Sequence, residues 1–170
     1  MIEPQVALEP IAADQSFVLG NLFELYVHDF SEQVPLQLKA NGRFDLPIDA
    51  CWWNSGEHFP FFIRGEGQLL GFALVRRGSR VTAASDVMDV AEFFVVRGAR
   101  GRGVGRSAAR ALFTAFPGRW EVRVRQSNAA AKAFWQSVAH GWLGETAPWA
   151  AFSRAGVDWQ VLELPVVSAT

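Results

Sequence analysis

The stretch that most restricts the possible folds is a strand that runs into a glycine-rich turn and then a helix. Met88 to Val96 mixes β-branched and aromatic residues with one acidic interruption in its second half, Glu92. It breaks into Arg97-Gly98-Ala99-Arg100-Gly101-Arg102-Gly103-Val104-Gly105-Arg106, beyond which Val104, Ala108, Ala111, Leu112 and Ala115 recur at helical spacing. Glycine lets a backbone approach a ligand closely with its N–H groups outward, and a helix start adds about half a positive charge. The interleaved Arg100, Arg102 and Arg106 add charge-assisted donors, so the expected guest is a pyrophosphate or several phosphates.

The neighbouring segments supply a framework for that turn. Gln5 to Leu8 predicts a short strand, followed by a helix that Asp14 or Ser16 would cap. That helix would have Phe17, Leu22, Leu25, Tyr26 and Phe30 on one face and Glu24, His28 and Asp29 on the other. Ser31 to Glu57, interrupted by Pro35, Asn41-Gly42 and Pro47, reads as short helical or irregular pieces. Phe59 to Arg64 and Gln68 to Val75, joined by Glu66-Gly67, predict a hairpin. After the glycine turn come a helix over about 103–116, stopped by Pro117-Gly118, a strand Trp120 to Val124, a helix over about 128–140 and a final strand Asp158 to Leu164. Hairpin strands followed by strand-helix alternation predict an α/β (α+β mixed) fold, with a mixed sheet and helices on its faces.

The 170 residues, half of them hydrophobic and only 19% charged, suit one domain over 1–170 and exclude a disordered chain. No apolar stretch approaches the ~20 residues of a membrane helix, so no membrane partner and a cytoplasmic location are expected. A single cysteine, Cys51, and three scattered histidines, His28, His58 and His140, exclude a disulfide and a thiolate zinc cage, and no metal is expected. The charges are uneven. Residues 1–66 hold ten acids and three bases, whereas Arg97 to Arg125 holds eight arginines and one acid, Glu121. The basic part suits a small, highly charged anion, and the acidic part would suit a cationic substrate if it faces the same cleft.

Spacing separates the glycine-rich phosphate motifs. A P-loop needs Gly-Lys before Ser or Thr, and the lysines are Lys39 and Lys132, so it is excluded. A dinucleotide fingerprint fits poorly, because Gly101, Gly103 and Gly105 are followed by Arg106. What remains, Arg-x-x-Gly-x-Gly at Arg100, Gly103 and Gly105, resembles the acetyl-coenzyme A motif of the GNAT superfamily of N-acetyltransferases. About 25 residues on, Asn128, Ala131, Phe134 and Trp135 resemble that superfamily's Asn-x-x-Ala-x-x-Phe-aromatic helix, with Gly141-Trp142 beyond. The resemblance runs from Gln68 to Trp142 and extends more weakly to both ends. It implies a mostly antiparallel mixed sheet with helices on both faces and acetyl-CoA as co-substrate. It further implies that Phe93, Phe94 and Val95 pair their backbone with the pantetheine arm. Arg100, Gly101, Arg102, Gly103, Val104, Gly105 and Arg106 would then hold the pyrophosphate, Asn128 and Phe134 would line the thiol end, and Trp135 would also bind the cofactor. A homodimer is compatible with it.

Acetyl transfer to an amine needs alignment, a base for the amine proton, a donor for the developing oxyanion and an acid for the departing thiolate. Glu92, a carboxylate in an apolar strand just before the cofactor residues, is the base candidate; burial would raise its pKa. Its alternative role is to pair with a nearby arginine. Many relatives carry tyrosine where this chain has Trp135, and indole N–H is no proton donor at useful pH, which leaves Tyr26, His28 or water for the thiolate. The place of Tyr26 among apolar residues of its helix favours core packing over catalysis. The acceptor implied is the primary amine of a small molecule or peptide. Two other readings stand beside the transferase: a coenzyme A-binding protein without transferase activity, and an arginine-rich nucleic-acid or ribosome-associated module. Against the latter, the arginines sit among glycines at a turn rather than along an extended face, so no nucleic-acid partner is expected.

Overall fold

A computed structural model describes residues 4–165. Its strands β1 (Val6–Pro10), β2 (His58–Gly65), β3 (Gln68–Arg77), β4 (Val87–Val95), β5 (Arg119–Arg125), β6 (Trp149–Arg154) and β7 (Val157–Leu164) form one sheet in the order β1-β2-β3-β4-β5-β7-β6. Every adjacent pair is antiparallel except β4 with β5, which are parallel and joined through helix α3 (Val104–Ala115). The mixed, mostly antiparallel sheet is as expected. Helix α1 (Ser16–Phe30) and the single turn α2 (Cys51–Asn54) cover one face, packing Leu19, Leu22 and Trp52 on Phe62, Phe72, Leu74 and Phe94. On the other face α3 and α4 (Ala129–Leu143) pack Leu112, Phe113, Trp135 and Val138 on Val75, Val90, Val122, Val124 and Leu162.

Two departures in α1 have simple causes. Neither Asp14 nor Ser16 caps it; a 3-10 turn over Ala13–Gln15 leads in, and Gln15 Oε1 accepts a hydrogen bond from Ala12 N at 3.1 Å. Phe17 and Leu25, expected on the apolar face, are 68% and 53% exposed. Residues 19, 22, 26 and 30 follow the helical repeat more closely, and that stripe meets the sheet. Strand β6 was not anticipated. It is an edge strand of Trp149-Ala150-Ala151-Phe152-Ser153-Arg154 with a largely exposed, non-alternating pattern, paired to β7 around Ala155-Gly156.

Two irregularities in β4 position the site. Between Leu74↔Glu92 and Val75↔Val90 the register shifts, making Ala91 the extra residue of a β-bulge. Met88 and Val90 therefore join the core under α3 and α4, whereas Glu92 and Phe94, past the bulge, point to the α1 face. Strict alternation would have put Glu92 beside Val90 in the core. In addition, β4 pairs with β5 only over Val87–Val90, so the two strands part where Glu92 begins.

Candidate active site

The strand separation opens a cleft bounded by β4, the turn before α3, the start of α4 and the end of α1. A cavity of about 510 Å³ in it is lined by Phe93, Phe94, Val95, Arg100, Gly101, Gly103, Gly105, Arg106, Asn128, Phe134 and Trp135, with Asp29 and Glu32 from α1. Gly101 and Gly103 take positive φ, 75° and 86°, which turns the chain into α3. Ser107 N donates to Gly103 O at 3.0 Å. Among the described residues, no acceptor takes the backbone N–H groups of Gly101 to Arg106. Exposed Arg102 makes no ion pair with a described residue, and Arg106 donates to Ser137 Oγ at 3.3 Å. Free amides at the start of a three-turn helix, beside two available guanidinium groups, fit a pyrophosphate.

The expected ligand residues contribute unequally. A Cβ on Gly101 would meet open space, so a ligand can approach there; one on Gly105 would lie 3.0 Å from the Phe134 ring, so this glycine serves the α3–α4 packing. Arg100 is turned away from the turn's amides: its Nε donates to Val95 O at 2.7 Å and its Nη2 to Asp29 Oδ2 at 2.5 Å. Arg97 also donates to Asp29, at 2.8 Å. Burial would push the Asp29 pKa up, but hydrogen bonds from Arg100 and Arg97 outweigh it and hold the carboxylate below its usual range. Asn128 caps α4, accepting from Ala131 N at 2.9 Å. Val104 is buried under the turn.

A second cavity, of about 560 Å³, adjoins the first across shared walls of Tyr26, Phe30, Phe93, Asn128, Ala131 and Trp135. Glu92 lines it, together with Phe23, Asp49, Trp52, Arg76, Arg123, Arg125 and Trp159. Glu92 is ringed by protein atoms but keeps part of its side chain open to this cavity. Burial raises its pKa, opposed by the hydrogen bond from Tyr26 and by the charges of Arg123 and Arg76. Tyr26 Oη donates to Glu92 Oε2 at 2.5 Å. Its ring packs among Phe23, Phe30, Phe72 and Phe94, so one residue is both core and cavity wall. Burial and the Glu92 carboxylate raise the Tyr26 pKa far above the ordinary phenol range, which makes it a poor independent acid. The alternative in which Glu92 pairs with an arginine does not occur: Arg76 and Arg123 both bind Asp89, at 2.6 and 3.1 Å.

His28 stays on the solvent side of α1. Cys51 Sγ lies 3.7 Å from His58 Nε2, and burial together with Asp49 pushes its thiol pKa up, away from nucleophilic use. Reading from sequence missed Asp29 as an arginine partner, and Arg125, Phe30 and Trp159 as cavity walls. In β5, Arg123 and Arg125 alternate with buried Val122 and Val124 and so share a side, and the topology turns that side toward a cleft. The acids expected to suit a cationic substrate are largely engaged: Glu9 by Arg64, Glu57 by Arg77, and Glu24 by Arg43 and the amides of Phe44 and Asp45. Among the described residues no group of His, Cys, Asp and Glu could hold a metal, and no helix is long and apolar enough to cross a membrane.

Comparison with known proteins agrees with this fold. Over 98% of this chain and 100% of the other, the structure superposes on an acetyltransferase from Thermus thermophilus with a TM-score of 0.71 at 16% identity. A Salmonella typhimurium protein, yncA, whose structure holds its cofactor acetyl-CoA, matches with a TM-score of 0.61 at 13% identity, covering 96% and 95% of the two chains. The ribosomal-protein-S18-alanine N-acetyltransferase of Escherichia coli gives a TM-score of 0.55 at 17% identity, over 98% and 97%. No curated protein matches in sequence. At these identities the likenesses show the fold, and the family follows from the sequence itself: residues 20–141 match the model of the acetyltransferase (GNAT) family, to which this chain therefore belongs.

Proposed function

We propose that the protein transfers an acetyl group from acetyl-CoA to a primary amine of a small molecule or peptide, by direct attack with both substrates bound. The observation that carries this reading is Glu92, a carboxylate with a raised pKa in the second cavity, whose hydrogen-bond partner Tyr26 also lines the cavity holding the phosphate cradle. When bound, acetyl-CoA supplies a thioester carbonyl activated toward amines. The amides of residues 101–106 with Arg102 and Arg106 would hold its pyrophosphate, and the unpaired side of β4 over Phe93 to Val95 would take the pantetheine arm. Glu92, directly or through a water, takes one proton from the attacking amine as the N–C bond forms and the C–S bond breaks. Backbone N–H groups near Val95 polarise the carbonyl. The departing thiolate takes its proton from water, or from Tyr26 as Glu92 returns one to the phenol. Use of acetyl-CoA fits a cytoplasmic protein acting as one domain.

The test joins binding to turnover. Calorimetry should show acetyl-CoA binding that weakens about tenfold in Arg102→Ala, the usual loss for one charge-assisted hydrogen bond. Thiol release should then occur with at least one member of a panel of amines, aminoglycosides, amino acids and peptides. Binding with no release on any amine would mark a coenzyme A-binding protein; no acetyl-CoA binding at all would remove the reading.

A further inference from the structure

The second cavity holds three guanidinium groups, and two of them are accounted for. Asp89, fully buried, accepts from Arg76 Nε at 2.8 Å and from Arg123 Nε and Nη2 at 3.2 and 3.1 Å. Arg125 has no such partner. Its guanidinium lies over the rings of Phe30 and Trp159, 5.4 Å from each centroid. Its Nε is buried and makes no hydrogen bond, although a buried donor left unpaired is costly. An arginine held in place by two aromatic faces, with donors unspent and a cavity before it, is arranged to receive an anion from outside the chain.

We propose that the acetyl acceptor is an amino acid-type molecule, a primary amine that also carries a carboxylate, and that Arg125 binds the carboxylate. This inference rests on the acetyl-transfer reading above. Phe30 stacks on Tyr26 at 6.0 Å between centroids, and Tyr26 donates to Glu92, so Arg125 and Glu92 flank one aromatic pair. A ligand whose carboxylate meets Arg125 and whose amine meets Glu92 must carry both groups, as an amino acid does. Its apolar body would lie on Phe23, Trp52 and Trp159. The other carboxylates leave Arg125 uncompensated: buried Asp89 faces both Arg76 and Arg123, and Asp49, which accepts from Cys51 N at 2.8 Å, at most offsets the one guanidinium charge that Asp89 leaves over. A polycationic amine would place positive charge against Arg125, so the acceptor expected from the acidic first third of the chain is disfavoured.

The experiment compares matched pairs that differ by the carboxylate: L-phenylalanine with phenethylamine, L-leucine with isoamylamine, and L-methionine with 3-methylthiopropylamine. Thiol release from acetyl-CoA is read for each, and binding of the corresponding N-acetyl products is followed by tryptophan fluorescence, which needs no turnover. In at least one pair the amino acid should exceed its amine in kcat/KM by about 10- to 100-fold, the span of a charge-assisted pair. Arg125→Met, which keeps bulk between Phe30 and Trp159, should raise KM for that amino acid by a similar factor and narrow the preference. Arg125→Lys should restore part of it. If every amine equals or exceeds its amino acid, or if Arg125→Met weakens both members alike, the inference falls while acetyl transfer stands. It falls in the same way if no N-acetyl amino acid binds a protein that binds acetyl-CoA. Failure to bind acetyl-CoA removes both. Should Arg125→Met not fold, the wild-type pairs alone decide.

Discussion

Glu92 is held where its charge is costly, and that has opposite effects on catalysis and stability. Its pKa in the native state is raised above the ordinary carboxylate value, so the folded chain holds this proton more tightly than the unfolded chain. The contribution to stability is therefore fully present below the unfolded carboxylate range and is lost as pH rises through the raised native value. Glu92→Gln, neutral at every pH, should show a higher Tm than wild type at neutral pH while kcat falls by about 10² to 10⁴, the usual worth of a general base. As a base Glu92 must be deprotonated, so kcat should fall with decreasing pH along a limb lying above the ordinary carboxylate range. Tyr26 counteracts the rise through its hydrogen bond, so Tyr26→Phe should move that limb to still higher pH. An acid limb at the ordinary carboxylate pKa, unmoved in Tyr26→Phe, would show that another group takes the proton. The identity of Glu92 was legible as a carboxylate in an apolar strand, but its tyrosine partner was not, because 66 residues separate the two.

At the scale of elements, the site depends on β3 and β4 staying in close contact beside the bulge. A Cβ on Gly71 would lie 2.0 Å from Phe94 O and 2.9 Å from Phe94 C, both backbone atoms with no rotamer to yield. Gly71→Ala should therefore push β4 away just where it lines the cleft, costing at least about 1–3 kcal/mol as overpacking does. Thermal melts alongside calorimetry would show lower stability and weaker acetyl-CoA binding together. A variant with wild-type values of both would mean that the strands can shift freely. Six of the seven strands and both long helices after β4 could be read from periodicity and turn residues. Strand β6 could not, because an edge strand with little buried surface lacks the alternation that marks a strand. The bulge at Ala91 was equally hidden: nothing in Val90-Ala91-Glu92 distinguishes an extra residue from regular alternation, so the side on which Glu92 emerges required the pairing register.

Over the whole molecule, the basic segment is much less basic in space than in sequence. Arg97 and Arg100 meet Asp29, Arg119 meets Asp86, and Arg123 meets Asp89, each from a different part of the chain. A nucleic acid would find few unpaired charges here, so duplex DNA should not compete with acetyl-CoA, and raising salt from low to physiological should weaken acetyl-CoA only modestly. Tight DNA binding with a steep salt slope would favour the phosphate-gripping module instead. The parting of β4 from β5 adds a further consequence: past Val90, β4 has an edge in the middle of a seven-stranded sheet. Sheets elsewhere bury or charge their edges, whereas this one is left open as an internal seam, and a molecule with its own amides can close it as an eighth, non-peptide strand. Hydrogen-deuterium exchange should then show amides of Phe93 and Val95, which alternate with those turned to β3, exchanging readily in the free protein and slowing sharply with acetyl-CoA, so that the ligand completes the secondary structure of its host.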